Sequence, residues 1–160
     1  KHIISNSTGS YCVYTLGAPQ IKCRHQFTLE LTVAMNNKED IDAITEWLDN
    51  WVRLINDEKD AAKIADGYTE DCIIMVPNMP NRFGRAAARE AMQGIIDSGL
   101  KYKHGKRIIE TDGNLGTDLT YIHTETADGK IVETGRSHCV WKKIDGVWYC
   151  HRDAWSPCPH

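Results

Sequence analysis

No apolar run in this sequence approaches the roughly 20 residues needed to span a bilayer, so the sequence predicts no membrane-embedded element. Nor is there a dominant charge: 19 Lys and Arg stand against 22 Asp and Glu, a formal net charge of -3. That balance gives no electrostatic reason to expect nucleic acid or an anionic membrane as a partner. No two cysteines have the close CxxC spacing of a zinc site, so no metal is expected. A Gly-rich phosphate loop is missing, and no nucleophile stands beside a base, so no cofactor requirement can be read. Internal repeats and low-complexity tracts are absent as well. The sequence begins at Lys1 with neither an initiator Met nor an apolar leader, which reads as a mature form freed of a signal peptide.

What is present is ordinary for a folded domain. The 160 residues, 41% hydrophobic and 26% charged, are enough for one domain with a sizeable core. Cysteine is the exception, with six residues: Cys12, Cys23, Cys72, Cys139, Cys150 and Cys158. An even number, three of them in the terminal segments, predicts disulfides and an oxidising, extracellular compartment, with fifteen complete pairings open. Asn6-Ser7-Thr8 is a glycosylation acceptor and points the same way.

The clearest local pattern lies at the end of the chain. Asp128-Gly129 and Asp145-Gly146 are dipeptides that favour tight hairpins, because the central residues of such turns need positive φ. They predict antiparallel strands over 119–127, 130–144 and 147–155. Two-residue turns would pair Ala127 with Lys130 and Ile144 with Val147. The period of two then sets Tyr121 against Arg136, His123 against Thr134, Leu119 against His138, Val140 against His151 and His138 against Asp153. One face would collect Leu119, Tyr121, His123, Glu125, Arg136, His138, Val140, His151, Asp153 and Trp155. It reads as the polar floor of a pocket. The other face would collect Ile122, Cys139, Trp141, Trp148, Cys150 and Arg152, a surface costly to expose, to be covered by the N-terminal arm or a second subunit.

Upstream, residues 1–25 read as irregular, and Gln26 to Val33 alternates as a strand. Residues 1–38 form an added arm carrying Cys12 and Cys23; residues 39–157 form the domain proper. Apolar residues recur at helical spacing from Asn37 to Asn56, Asp60 can cap a second helix to about Gly67, and a third runs from Arg85 to about Ser98. Cys72 to Val76 is an apolar strand stopped by Pro77, and Lys101 to Thr111 is a further strand. Helices gathered first and strands last predict an α+β fold, a curved antiparallel sheet wrapped around a long N-terminal helix, with its open end available to a small molecule.

Specific stretches carry a resemblance. Tyr68-Thr69-Glu70-Asp71-Cys72 before an apolar strand and Pro77, Gly84-Arg85-Ala86 opening a helix, Val140-Trp141-Lys142-Lys143, Asp145-Gly146-Val147-Trp148 and Asp153-Ala154-Trp155-Ser156 together resemble the SnoaL-like, ketosteroid-isomerase-like cone fold of the nuclear transport factor 2 superfamily. The last strand pair also resembles the association domain of calcium/calmodulin-dependent kinase II. The resemblance spans about residues 39–157 and implies a cavity lined by His151, Asp153 and Trp155. It sets His138 where the isomerases hold a protonated acid, Val76 where they hold an Asp base, and Trp51 roughly where their first helix supplies a Tyr. Val76 and Trp51 therefore argue against double-bond isomerisation by that family's mechanism. It also implies dimerisation through the convex face.

The candidate acid/base pair is His138 with Asp153, a carboxylate able to orient the imidazole and raise its pKa; a purely structural hydrogen bond is the alternative. His123 and His151 would extend the floor, and Arg136 beside Tyr121 would bind a carboxylate or enolate. The ligand set expected is Trp51, Val76, Tyr121, His123, Arg136, His138, His151, Asp153 and Trp155. The function expected is a secreted homo-oligomeric binder of an apolar steroid-, polyketide- or carotenoid-like molecule. An acid/base enzyme of the cyclase or isomerase type and an oligomeric assembly domain are the alternatives.

Overall fold

The computed structural model describes residues 3–5, 11–13 and 36–158. The chain divides into two compact units, Lys1–Thr32 and Val33–His160. In the first, β1 (Ile3–Ser5) and β2 (Tyr11–Val13) form an antiparallel pair with Ile4 opposite Cys12. This replaces part of the irregular reading, since Ile3-Ile4 and Tyr11 to Val13 are short β-favouring runs. The strand expected over Gln26 to Val33, the acceptor Asn6 and the side chains of Cys12 and Cys23 lie outside the described residues.

The second unit opens with α1 (Lys38–Arg53), where Asn37 caps the Glu39 amide at 3.0 Å and Glu39 and Asp40 occupy the first turn. A π-helical turn, Leu54–Glu58, ends it, closed by Lys59 in a left-handed conformation. Asp60 caps α2 (Ala61–Asp66) by accepting from the Lys63 amide at 3.0 Å. Then follow β3 (Tyr68–Met75), the two-residue β4 (Arg82–Phe83), α3 (Gly84–Asp97), β5 (Lys101–Asp112), β6 (Leu115–Glu125), β7 (Ile131–Ile144) and β8 (Val147–Pro157). Six strands form one curved sheet in the order β4-β3-β8-β7-β6-β5, antiparallel throughout except where β3 runs parallel to β8. This is the expected α+β cone, a curved sheet with an N-terminal helix. Among the described residues no helix is long and apolar enough to cross a membrane.

The face of the sheet that meets the helices is the reverse of the expected one. Thr120, Ile122, Cys139, Trp141, Trp148 and Cys150 are buried, whereas Tyr121, Arg136 and His138 are exposed. The helices supply the cover assigned above to an arm or a second subunit. Ile44 and Leu48 of α1 are fully buried, each contributing about 1.5–3 kcal/mol by leaving water. The Trp47 ring stands edge-on to Trp141 at 4.9 Å and to Tyr68 at 5.8 Å. Asp40 accepts from Lys143 Nζ at 2.6 Å and from Trp148 Nε1 at 3.0 Å, tying the start of α1 to β7 and β8.

Cys72, Cys139, Cys150 and Cys158 are free thiols, which corrects the disulfide expectation for these four. Cys72, Cys139 and Cys150 are buried in the core as small apolar side chains rather than staples.

Gly67 is the narrowest point beneath α1. A methyl group there would lie 2.0 Å from Trp47 Nε1 and 2.6 Å from its Cε2. Gly67→Ala is therefore expected to push the indole off Tyr68 and Trp141, costing about 2 kcal/mol and lowering Tm by roughly 4–8 °C in thermal denaturation.

Candidate functional site

Register decides which side chains share the interior. Asp145 and Gly146 both take positive φ, and Ile144 opposes Val147 as the tight-turn reading requires. The first hairpin is longer than expected. The Gly129 amide donates to the Thr126 carbonyl at 2.9 Å, so Ala127 and Asp128 occupy the turn, and Gly129 follows with φ +85°. Glu125 accordingly opposes Ile131, and Ala127 does not pair with Lys130. Above that irregularity the expected pairs Tyr121–Arg136, His123–Thr134 and Leu119–His138 are present.

Between β7 and β8 the pairing slips by one residue. Trp141 opposes Cys150, but Val140 opposes Arg152, Cys139 opposes Asp153 and His138 opposes Ala154. His151 is the extra residue of a β-bulge. It is buried, with Nδ1 2.9 Å from Thr69 Oγ1 and 3.1 Å from Arg152 Nη1. Because guanidinium can only donate, that nitrogen accepts, and burial together with Arg152 lowers the imidazole pKa. The expected pairs Val140–His151 and His138–Asp153 are thus not formed. A period-two count cannot see a bulge, and one extra residue moves everything beyond it to the other face.

The interior face of the sheet, α1 and α3 enclose a cavity of about 430 Å³. Of the expected ligand set, Trp51, Val76, Asp153 and Trp155 line it. Tyr121, His123, Arg136, His138 and His151 do not: the first four belong to the opposite face, and His151 is consumed by the bulge. His123 instead lies 3.1 Å from Glu125, and Arg136 Nε donates to Ser156 Oγ at 3.3 Å.

Sequence reasoning missed the partners that Asp153 acquires. Tyr68 Oη donates to Asp153 Oδ2 at 2.8 Å, and Ser137 Oγ and Cys139 Sγ lie 3.4 and 3.6 Å from Oδ1. Burial raises the carboxyl pKa, with nearby Asp118 adding to it; Tyr68, Cys139 and Ser137 pull the other way. Tyr68 is itself raised well above the usual phenol range, by burial first and then by Asp153. On the helical side the His104 ring stacks on Trp51, 5.4 Å between centroids and 16° from parallel. Arg107 Nη2 donates to His104 Nδ1 at 3.1 Å and pairs with Asp49 at 2.7 Å. Accepting at Nδ1 leaves the neutral ring with its proton on Nε2. Burial first, then Arg107, brings the His104 pKa down to about 4. The remaining wall is mostly apolar, including Leu48, Ile74, Met92, Ile95 and Ile122. A depression of about 660 Å³ beside α1, lined by Glu46, Arg53 and Trp148, is more open.

Residues 37–152 match the family model for the SnoaL-like domain. No curated protein sequence matches the chain. Solved structures that resemble it include an NTF2-like protein of unknown function from Pseudomonas putida KT2440, with TM-score 0.68 and 13% identity over 75% of this chain and 87% of that one. A proposed calcium/calmodulin-dependent protein kinase II association domain from Xanthomonas campestris has TM-score 0.62 and 19% identity, covering 78% of this chain and 89% of that one. A proposed scytalone dehydratase from Novosphingobium aromaticivorans DSM 12444 has TM-score 0.63 and 17% identity, covering 77% and 87%. At these identities the likeness is one of fold.

The His104 environment has a pH signature. Its folded pKa of about 4 lies below the unfolded value near 6.5, so between these limits the unfolded chain binds more protons. Stability attributable to this residue is full above pH 6.5 and is lost as pH falls toward 4, by roughly 2–3 kcal/mol. Urea denaturation of the wild type and His104→Gln at pH 7 and pH 4.5 is expected to give the variant the smaller drop. Equal drops would contradict the buried neutral ring.

Proposed function

Because the chain belongs to the SnoaL-like domain family, we propose that it binds a largely apolar small molecule bearing a carbonyl or hydroxyl oxygen in the cone cavity. The observation that carries this reading is an interior of about 430 Å³ with mostly apolar walls and a part-buried carboxyl, Asp153, hydrogen-bonded to the buried Tyr68 phenol on its surface. That volume suits a ligand of two or three fused rings, and such cavities gain affinity from apolar burial and orientation from a few polar groups. Burial raises the Asp153 pKa and so favours the acid form, which can donate to a ligand oxygen. Trp51 and Trp155 offer flat surfaces for a ring system.

A second reading, acid/base catalysis, is supported by the same carboxyl. A carboxylic acid whose pKa is raised by an apolar site can give a proton to a developing oxyanion and take one back. His104, neutral and with Nε2–H as donor, is a second polar group on the cavity wall. The proposed scytalone dehydratase of the same fold makes dehydration the reaction class to try first. In that reading Asp153 is the proton donor and Tyr68 the residue that orients it.

Paired ligands test the first reading. 2-Acetylnaphthalene is expected to quench the cavity tryptophans and to bind about tenfold more tightly than 2-ethylnaphthalene, which lacks the oxygen. In Tyr68→Phe/Asp153→Leu that preference is expected to vanish while both compounds still bind. Filling the cavity with Ala91→Phe is expected to abolish binding of both. A wild type that binds neither, or an oxygen preference that survives in the double variant, would refute the proposal. Turnover of a cyclic ketone that disappears in Asp153→Asn without loss of affinity would decide for catalysis.

A further inference from the structure

The bulge at His151 has a second product besides the Asp153–Tyr68 pair. It swings Asp153 onto the side of the sheet where Cys139 and Cys150 already lie. One ligating atom from each of Cys139, Cys150 and Asp153 falls within 4.8 Å of the other two. Both thiols are buried, at 4% and 1% exposure. From this cluster we propose a binding site for a thiophilic divalent cation, zinc by its chemistry, at the inner wall of the cavity. It shares Asp153 and Tyr68 with the ligand site proposed above, but does not require that a ligand bind there.

Donor type, geometry, support and access all agree. Two thiolate sulfurs and one carboxylate oxygen suit zinc and disfavour calcium or magnesium, which take oxygen ligands. Tetrahedral zinc has Zn–S of about 2.3 Å and Zn–O of about 2.0–2.2 Å, so its ligand atoms stand roughly 3.5–3.8 Å apart. The 3.6 Å between Cys139 Sγ and Asp153 Oδ1 already meets this. The carboxylate is held from behind: Tyr68 Oη occupies Oδ2 at 2.8 Å and leaves Oδ1 toward the sulfurs. Ser137 Oγ sits 3.2 Å from Cys139 Sγ and 3.4 Å from Asp153 Oδ1, a further outer contact. Outer hydrogen bonds of this kind orient metal ligands. Cys139 and Asp153 also line the cavity, which supplies an entry path. Binding releases the thiol protons of Cys139 and Cys150 and that of Asp153 when protonated; no bond is oxidised or reduced.

Cobalt(II) added to the reduced, desalted full chain under anaerobic conditions tests the site. One equivalent is expected to bind, giving near-ultraviolet thiolate-to-cobalt charge transfer and the visible bands of a tetrahedral ion, both bleached by zinc. Cys139→Ser and Cys150→Ser are each expected to lose most of the charge-transfer intensity. Tyr68→Phe, which removes only the outer hydrogen bond, is expected to weaken binding about 10–100-fold with the spectrum kept. Cys12→Ser/Cys23→Ser/Cys158→Ser is expected to bind as the wild type does. No charge-transfer band at stoichiometric cobalt, or a band lost in this terminal triple variant, overturns the proposal even if Cys139→Ser or Cys150→Ser fails to fold. Naphthyl-ketone binding measured without metal stands apart from either result.

Discussion

The interior chemistry of this protein depends on one extra residue in one strand. His151 is accommodated as a bulge because it has somewhere to go: Thr69 and the Arg152 guanidinium both meet its Nδ1. The adjacent strand is irregular at the same level, its pairing to β8 passing from Tyr68–Cys150 directly to Ile73–Arg152. Two irregular strands side by side let the sheet bend, which is what a cone requires. Without the bulge Asp153 would share the outer face with His138, and the cavity would have no carboxyl on β8.

That rearrangement sets an electrostatic contrast across the cavity. Asp153 is pushed toward its neutral acid form by burial, while on the opposite wall His104 is pushed toward its neutral base form by burial and by Arg107. In both cases burial disfavours the charged form, because an ion in an apolar interior is costly. Its aromatic members are fixed by the packing of α1 on the sheet, with Trp47 against Tyr68 and Trp141 and Trp51 against Tyr102 and His104.

Much of the scaffold was legible because local signals carry it. Asn37 and Asp60 cap the first two helices, Asp145-Gly146 fixes a tight turn, and apolar spacing marks α1 and α3. The register of β6 on β7 from Thr124 back to Leu119 matches the count from a two-residue turn, although Ala127 and Lys130 do not pair. Most of the polar floor expected from strand alternation faces outward, because clustered His, Arg and Tyr mark a solvated face as readily as a site. The same face is simply the wet one, with Tyr121 41% exposed and Arg136 bonded to Ser156. Trp141, Trp148 and Ile122 were the better guide, since large apolar side chains on one side of a sheet mark where helices pack.

By itself the sequence determined the α+β class, the helix limits near their caps, the second hairpin and the register of β6 on β7, all governed by residues close to one another in the chain. Only the tertiary structure decided which sheet face turns inward, and that Asp153 meets Tyr68 and two thiols rather than His138. Those outcomes rest on contacts between residues about 14 to 85 positions apart. They also rest on a bulge stabilised from a neighbouring strand, and no local periodicity encodes such a feature.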